Sequence, residues 1–218
     1  MNFKAAIFDM DGTLLESMHI WTDLAPAFLK KHGITPPPGF VIHSSVPSVR
    51  GAVRAMIEEF DLPLDEECEV EALYAELAEF YGGKVALKPG ITQVLTALRN
   101  AGLAAGVLTA TEPFLAELAL KNSGLADFFT VPLLSGAEHN LSKSSPLPFM
   151  MMAEKLGYAP QETIVFEDAL YAARTAANAG FAVAAVADTS EPKQNELEKI
   201  ANWYCRNWHD FPLNIFDR

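Results

Sequence analysis

Acidic side chains follow two separate apolar runs of the chain. Asp9 and Asp11 come directly after the run AAIF, and Glu167 and Asp168 close the run TIVFED. If both runs are parallel strands, their carboxyl ends meet at one edge of a sheet and bring the four carboxylates together. Unit charges about 4 Å apart repel by roughly 4 kcal/mol at an effective dielectric of 20. The cluster therefore predicts a bound cation, and an all-oxygen ligand set favours Mg²⁺ over zinc.

The elements that must position these residues are short apolar runs that alternate with helical patterns. Each run ends in a polar residue, and the runs are AAIFD, AAGVLT, FFTVPLLS, TIVFED and VAAVAD. Between them lie amphipathic segments that close at or near a glycine, which is frequent at helix C-termini. This alternation predicts an α/β fold, with a Rossmann-like parallel sheet and helices on both faces. The segment WYCRNWHDF near the C-terminus predicts a last edge strand with packing aromatic residues.

A helical segment interrupts this alternation after the first strand. Three amphipathic patterns, with apolar residues at three- and four-residue spacings, precede the next strand pattern; they are MHIWTDLAPAFLKKHG, PSVRGAVRAMIEEF and EECEVEALYAELAEFYGG. We therefore predict a catalytic core of residues 1–16 and 86–218 and an inserted all-helical cap domain of residues 17–85, of the four-helix type. The two linkers between core and cap are expected to act as a hinge.

The composition of the chain excludes several classes of partner. Acidic residues number 28 against 16 basic ones, giving a net charge of −12. This negative field repels nucleic acids and anionic membranes, and it favours a small-molecule role. No signal peptide or membrane span is expected, and the two cysteines have no metal-site or CxxC spacing. We expect a cytoplasmic protein that is a monomer or a weak homo-oligomer.

Four motifs, taken in order, resemble those of the haloacid dehalogenase-like phosphatases. DMDGTLLES resembles the first motif, VLTAT the second, Lys143 in LSKSSP the third and VFEDALYAARTAANAG the fourth. The resemblance covers the full length, since the helical insertion is similar to the mobile cap of that family. Four ordered motifs, each at a predicted strand end or in the following loop, are far more specific than one DxDGT match.

The resemblance implies a role for each motif residue. Asp9 would be the nucleophile that becomes an aspartyl-phosphate and would also ligate Mg²⁺. Asp11 would be the general acid and base, and its backbone carbonyl would be a second metal ligand. Thr109 and the main-chain N–H groups after it would hold the phosphoryl oxygens, while Lys143 would offset their charge. Asp168 would complete the metal shell.

Other residues near the motifs support or depart from the family pattern. Neighbouring Glu167 could bond a metal-bound water or the motif lysine, and Gly12 would let the chain bend sharply after the first strand. The fourth motif commonly continues with serine and, three residues later, glycine, whereas this chain has Ala169 and Ala172. The third motif usually has proline directly after the lysine, whereas two serines intervene before Pro146 here.

The predicted function is a Mg²⁺-dependent phosphatase that hydrolyses a small phosphorylated metabolite. One alternative is a phosphosugar mutase similar to β-phosphoglucomutase, which shares the motifs and the cap but needs basic cap residues for a second phosphate. Arg50 and Arg54 lie on an amphipathic helix pattern and are expected to be solvated instead. A non-catalytic protein that binds a phosphorylated ligand is the third possibility. A sugar phosphate, phosphoglycolate or a nucleoside monophosphate all fit as the substrate.

Four side chains of the predicted cap are candidates for the mouth of the site. His19, Trp21, His43 and Ser44 of the cap could reach the active-site mouth. A tryptophan at helical spacing is more often part of a core than a specificity determinant. We therefore do not count these residues among the predicted site residues.

Overall fold

The computed structural model describes residues 2–37, 40, 48–83, 85–139 and 141–216 of the 218-residue chain. These residues form one six-stranded sheet in which every pairing is parallel and the strand order is β3-β2-β1-β4-β5-β6. The strands are β1 Ala5–Phe8, β2 Ala104–Thr109, β3 Leu134–Ser135, β4 Thr163–Glu167, β5 Ala182–Val186 and β6 Trp203–Cys205. The predicted fold class is confirmed.

Helices cover both faces of the sheet. They are α1 Met18–Lys31, α2 Val49–Glu59, α3 Glu66–Gly82, α4 Ile91–Asn100, α5 Pro113–Asn122, α6 Gly136–His139, α7 Leu147–Leu156, α8 Leu170–Asn178 and α9 Gln194–Ile200. Alternate residues of β1 belong to two different core clusters: Ala6 and Phe8 join the one that includes α4 and α5, whereas Ala5 and Ile7 join the one that includes α7 and α8. Strands buried on both faces account for the continuous apolar runs in the sequence.

The strand order places β1 in the middle of the sheet. Ala5 of β1 pairs with Ala104 of β2 on one side and with Thr163 of β4 on the other. The three strands therefore end side by side, and the residues at or just after their carboxyl ends are neighbours in space. Such an edge of a parallel sheet is where α/β proteins bind ligands.

Three helices lie in the described part of the segment between β1 and α4. Two of them begin with a side-chain cap, because Ser48 accepts a hydrogen bond from the N–H of Gly51 and Asp65 accepts one from the N–H of Cys68. Most of their buried side chains belong to the same apolar cluster as one face of the sheet. The described residues thus contain three helices of the expected four-helix-type cap.

The two edge strands, β3 and β6, can be compared with the strands predicted from the sequence. The run FFTVPLLS predicted a longer strand, but β3 contains only Leu134 and Ser135. A 3₁₀ turn at Ala126–Phe128 and Pro132 precede it, and proline cannot donate to a strand ladder. The predicted edge strand near the C-terminus is β6, and a 3₁₀ turn at Trp208–Asp210 follows it. None of the described helices has the length and apolar character needed to cross a bilayer.

Candidate active site

The side chain of Lys143 joins the ends of β1 and β4. Its Nζ donates a hydrogen bond to Asp9 Oδ1 and a second one, at 2.7 Å, to Glu167 Oε1. All three side chains are buried, with exposed fractions of 7% for Lys143, 7% for Asp9 and 1% for Glu167. The two extra serines after Lys143 therefore do not prevent it from reaching the strand ends, since the loop places its ammonium between the two carboxylates.

Glu167 and Asp168 differ in how their oxygens are used. Glu167 Oε2 accepts hydrogen bonds from the backbone N–H groups of Asp168 and Ala169, each at 3.0 Å, and Oε1 faces Lys143. Asp168 Oδ1 accepts one hydrogen bond at 3.1 Å, from Thr13 Oγ1, while its Oδ2 has no hydrogen bond to a described residue. Asp168 thus has an oxygen without a hydrogen bond to a described residue, whereas both oxygens of Glu167 bind Lys143 or the backbone after β4.

The turn after β1 depends on a glycine. Gly12 has φ +84°, and a Cβ built there would lie 2.2 Å from Asp168 Oδ2. A side chain at this position would therefore be strained and would also displace the carboxylate. The next residue is anchored from the far end of the chain, because the indole N–H of the fully buried Trp208 donates to the Thr13 carbonyl at 2.8 Å.

Three hydroxyl groups hold the side chain of Asp11. Its Oδ1 accepts hydrogen bonds from Ser17 Oγ at 2.6 Å and Tyr81 Oη at 2.5 Å, and its Oδ2 accepts one from Thr111 Oγ1 at 2.7 Å. The indole N–H of Trp21 in turn donates to Tyr81 Oη at 2.9 Å. The carboxylate of Asp11 is thus fixed jointly by the turn after β1, the loop after β2 and the end of α3.

Thr109 ends β2 beside this cluster and is almost fully buried. Its Oγ1 accepts a hydrogen bond from the N–H of Thr111 at 3.1 Å, so its hydroxyl proton remains available for a ligand. Ser135 at the end of β3 does not contribute in the same way, because its Oγ donates to the Thr111 carbonyl at 2.7 Å and it does not line the cleft described below. Ser135 supports the loop rather than the site.

Burial and mutual repulsion shape the protonation of the cluster. Burial, together with the charge of Glu167, raises the pKa of Asp9 to about 6 against the opposing effect of Lys143. Burial raises the pKa of Asp168 well above its usual range, and the charges of Asp9 and Glu167 add to this. Burial alone would lower the pKa of Lys143, but the two carboxylates outweigh it and the pKa is raised. The cluster therefore holds more negative charge than one ammonium neutralises.

The donor set fits a divalent metal ion. Asp9, Glu167 and Asp168 each offer a carboxylate oxygen, and these oxygens lie within 4.8 Å of one another. Hard oxygen ligands in this arrangement suit Mg²⁺, which also tolerates water in its shell. A cation would relieve the repulsion that raises the pKa of Asp168. The structure thus brings together two of the predicted metal-binding residues, Asp9 and Asp168. Metal binding by the backbone carbonyl of Asp11 remains a prediction.

A cleft of about 470 Å³ opens onto the cluster. One side is formed by strand ends and loops and includes Asp9, Thr109, Lys143 and Asp168. The opposite side comes from α1, α2 and the residue before α2, and its residues are Met18, Trp21, Thr22, Leu24, Ala25, Ser48, Val49 and Ala52. The carboxylates and the ammonium therefore face a mostly apolar wall across a space suited to a small ligand.

The comparisons with known proteins agree with this geometry. A family model described as haloacid dehalogenase-like hydrolase matches residues 3–180. The N-acetylmuramic acid 6-phosphate phosphatase of Pseudomonas aeruginosa is 32% identical over 223 residues, and the match covers 100% of this chain and 95% of that protein. The chain belongs to the haloacid dehalogenase-like hydrolase family. The resemblance of its four motifs to this family is thereby confirmed.

One further relative and one solved structure are similar to this haloacid dehalogenase-like hydrolase. The phosphoglycolate phosphatase of Neisseria meningitidis is 31% identical over 160 residues, covering 71% of this chain and 67% of that protein. The crystal structure of β-phosphoglucomutase from Clostridium difficile has a TM-score of 0.71 at 20% identity and covers 98% of this chain and 95% of that one. At this identity the structural likeness shows a shared fold alone.

Sequence reasoning missed several residues of the site in this hydrolase. Tyr81 and Thr111 bind Asp11, and Glu112 lines the cleft from the start of α5. Trp21, considered above only as a residue that could reach the mouth of the site, lines the cleft and binds Tyr81. Thr111 lies within the second motif and could have been considered. The partners from α1 and α3 carried no signal, because their contacts join segments 60 to 70 residues apart in the chain.

Two of the residues considered at the active-site mouth cannot be placed. His43 and Ser44 lie outside the residues that the structure describes. His19 is described and packs edge-on against Phe80, with ring centroids 5.3 Å apart, and it does not line the cleft. Of these expectations, the structure brings Trp21 to the cleft.

Proposed function

We propose that this haloacid dehalogenase-like hydrolase is a Mg²⁺-dependent phosphatase that hydrolyses a small phosphomonoester through an aspartyl-phosphate on Asp9. The observation that carries the proposal is the convergence of Asp9, Lys143, Glu167 and Asp168 beside one cleft. These residues come from three separate segments of the chain, and they combine the proposed nucleophile Asp9 with an ammonium group, a carboxylate that holds it and the metal-binding carboxylate of Asp168. Two curated relatives with phosphatase names support the same conclusion.

Asp9 has the position and charge of a nucleophile. Its raised pKa of about 6 leaves the carboxylate mostly ionised at neutral pH. Its Oδ1 is held by Lys143, so the carboxylate has a fixed orientation in the cleft. Attack of a carboxylate oxygen on phosphorus forms the acyl phosphate and releases the alcohol, and attack of water on that phosphorus then releases inorganic phosphate and restores Asp9.

Asp11 is suited to move the proton in both steps. Burial, followed by the charge of Asp9, raises the pKa of Asp11, and the hydrogen bonds from Ser17, Thr111 and Tyr81 oppose this. A carboxyl group tuned upward in this way can protonate the leaving alkoxide and later accept a proton from the attacking water. The hydroxyl groups around it keep its position fixed between the two steps.

Thr109 and Lys143 would bind the oxygens of the transferred phosphoryl group. The hydroxyl proton of Thr109 is available because its oxygen accepts from a backbone N–H. The ammonium of Lys143 remains charged because its pKa is raised. Mg²⁺ bound by Asp9, Asp168 and the Asp11 carbonyl would supply positive charge that neutralises the phosphoryl oxygens.

The cap side of the cleft favours a phosphatase over a phosphosugar mutase. A mutase must hold a second phosphate, and this requires cationic groups facing the cleft. Arg54 pairs with Glu66 and Arg50 pairs with Glu66 and Glu67 at the surface, and neither arginine lines the cleft. The prediction that these arginines do not bind substrate is consistent with these pairs.

The remaining parts of the proposal concern location and assembly. We retain a cytoplasmic location, and the two unpaired cysteines, exposed Cys68 and buried Cys205, are compatible with a reducing compartment. A monomer or weak homo-oligomer without a nucleic-acid or membrane partner also stays part of the proposal, supported by the net charge of −12.

Hydrolysis of p-nitrophenyl phosphate by the purified protein tests the proposal. We expect release of p-nitrophenol with Mg²⁺, loss of the activity after EDTA and recovery when Mg²⁺ is added in excess. A parallel assay distinguishes a phosphatase from a mutase. It measures isomerisation of a sugar monophosphate in the presence of the corresponding sugar bisphosphate as activator. Isomerisation without net phosphate release would favour the mutase, and binding without either reaction would favour a non-catalytic protein.

A further inference from the structure

Glu112 is a buried carboxylate that faces the cleft. It is 9% exposed and directly precedes α5, three residues after Thr109. Its Oε1 accepts a hydrogen bond from Tyr74 Oη at 2.8 Å and a longer one from the N–H of Val49 at 3.5 Å. Tyr74 belongs to α3 and Val49 begins α2, so both partners come from the helices that form the far side of the cleft or support it.

The second oxygen of Glu112 has no such partners. Oε2 accepts no hydrogen bond from a described residue, and Glu112 forms no ion pair within the described ranges. Within the described residues no fully buried side-chain polar atom lacks a hydrogen-bond partner, and Glu112 is one of the residues that line the cleft. A buried carboxylate is costly unless donors surround it, and a ligand can provide the missing donor.

The other carboxylate on the rim of the cleft is already satisfied. Glu191 also lines the cleft, but its Oε2 accepts from the N–H of Leu170 at 2.9 Å and its Oε1 accepts from the N–H of Lys193 at 2.8 Å. Both of its oxygens therefore serve the backbone. Glu112 differs from Glu191 because its Oε2 has no donor among the described residues.

The charges around the cleft define what Glu112 can bind. Among the described lining residues the one cation is Lys143, and its ammonium already contacts two carboxylates. The described lining carboxylates are Asp9, Asp11, Glu112, Glu167, Asp168 and Glu191. A second anionic group on a substrate would therefore meet repulsion near Glu112, whereas a hydroxyl or ammonium group would be attracted.

We infer that Glu112 is a specificity-determining residue, which accepts a hydrogen bond from the leaving alcohol and selects phosphomonoesters with hydroxyl or ammonium donors over those with a second anionic group. The inference rests on the proposed phosphatase activity and names its substrate class. Glu112 binds the leaving group of the substrate, because the proposed phosphoryl-binding residue is Thr109, three positions earlier in the chain. The mostly apolar residues of α1 and α2 pack against the carbon skeleton.

Three phosphomonoesters of nearly equal size test the inference. They are 2-hydroxyethyl phosphate, 2-aminoethyl phosphate and phosphoglycolate, whose leaving groups end in a hydroxyl, an ammonium and a carboxylate. We expect the wild-type protein to have a higher kcat/KM for the first two than for phosphoglycolate. In Glu112→Gln the ratio of kcat/KM for 2-aminoethyl phosphate to that for phosphoglycolate should fall about tenfold or more, because a charge-assisted hydrogen bond is lost.

Two further variants act as controls for this experiment. Glu117→Gln makes the same change at an exposed position of α5, the helix that begins after Glu112, and outside the cleft, and it should leave the ratio unchanged. Tyr74→Phe removes one donor to Oε1 but keeps the carboxylate, so the order of the three substrates should persist. An unchanged ratio in Glu112→Gln, or a wild-type preference for phosphoglycolate, would overturn the inference while phosphatase activity stands. No hydrolysis of these esters or of p-nitrophenyl phosphate would overturn the proposed function and the inference with it.

Discussion

Single residues around Asp11 set the position and the protonation of the carboxyl group that we propose as both acid and base. Its oxygens receive three hydroxyl donors, from Ser17, Tyr81 and Thr111. The hydroxyl groups hold the carboxylate in place, while burial keeps its pKa above the usual range. The hydroxyl groups therefore fix the position of Asp11 and also limit the rise in its pKa that burial causes.

Replacement of Asp11 tests its role in proton transfer. We expect Asp11→Asn to lower kcat by ~10²–10⁴-fold, the usual contribution of general acid–base catalysis. The substitution is nearly isosteric, so the thermal unfolding temperature should change little. Steady-state kinetics on p-nitrophenyl phosphate would measure the effect, and a raised KM with normal kcat would contradict the role.

Tyr81 positions Asp11 without lining the cleft. Burial and then the charge of Asp11 raise the pKa of the Tyr81 hydroxyl, so it remains a donor at neutral pH. We expect Tyr81→Phe to lower kcat about tenfold with little change in KM, because a hydrogen bond to a charged group is lost. Tyr204→Phe is the matched control, since Tyr204 Oη donates to Gln194 at 2.6 Å away from the cleft. Equal kcat values in the two variants would argue against positioning by Tyr81.

The motif residues could be predicted from the sequence, but their partners could not. Asp9 and Asp168 directly follow predicted strands, and Lys143 is predicted by the resemblance of LSKSSP to the third motif of the family. Their assigned roles stay predictions. The contact of Tyr81 with Asp11 depends on how closely α3 packs against the turn after β1. The contacts of Glu112 depend on donors from the cap helices, and no local sequence pattern encodes either set of contacts.

At the scale of elements, a buried ion pair fixes the second linker to the sheet. Lys88 lies between α3 and α4, and its Nζ contacts Asp188 Oδ2 at 2.6 Å and Glu16 Oε2 at 3.2 Å. Both Lys88 and Asp188 have side chains that are 5% exposed. Because Glu16 is in the first linker and Asp188 follows β5, one ammonium ties together the entry to the cap, the exit from it and the sheet.

Loss of this ammonium should destabilise the fold. We expect Lys88→Met to lower the free energy of unfolding by ~3 kcal/mol at pH 7, because Asp188 is then buried without its partner. Lys31→Met is the control, since the Lys31 pair with Glu76 is largely exposed and should contribute ~1 kcal/mol or less. Urea unfolding measures both variants, and equal losses would contradict the structural role of Lys88.

The effect of Lys88→Met should also depend on pH. Burial works to raise the pKa of Asp188, but the hydrogen bonds from Lys88 and Ser190 outweigh it and the pKa is lowered. A lowered pKa in the folded state gives stability that is present above the unfolded value of about 3.9 and lost as pH falls further. The difference in stability between wild type and Lys88→Met should therefore be full at pH 7 and shrink below about pH 4.

The helices and most strands followed from apolar periodicity, and the exceptions have a physical reason. The patterns located α1, α2 and α3 closely, because amphipathic spacing persists through each helix. The apolar run before Ser135 predicted a strand that is mostly absent, since an edge position and Pro132 restrict pairing to two residues. Pairing depends on neighbouring strands, which the run itself does not specify.

At the scale of the whole molecule, the division into a core of residues 1–16 and 86–218 and a cap of residues 17–85 remains our proposal. Contacts from the cap segment reach two residues of the site: Ser17 and Tyr81 bind Asp11, and Val49 and Tyr74 bind Glu112. Cap opening would break the contacts of the cap helices with both residues, and closure would exclude water and present Glu112 to the leaving group. The sequence indicated the insertion but not these contacts.

Metal binding should change the stability of the whole protein. We expect Mg²⁺ to raise the thermal unfolding temperature of the wild type, because a cation relieves the repulsion among the buried carboxylates. Asp168→Asn should show a much smaller Mg²⁺-dependent shift and, without Mg²⁺, should unfold at a temperature no lower than the wild type. Differential scanning fluorimetry measures both effects, and an equal Mg²⁺ shift in the two proteins would argue against metal binding by Asp168.

Phosphate release by Asp9→Asn, compared with the wild type in excess Mg²⁺, tests the central claim most directly. The substitution removes the nucleophilic charge and is nearly isosteric, so an unfolding temperature within a few degrees of wild type would show that the fold persists. We predict that the variant releases no phosphate above the uncatalysed rate. Phosphate release at the wild-type rate would contradict transfer of the phosphoryl group to Asp9.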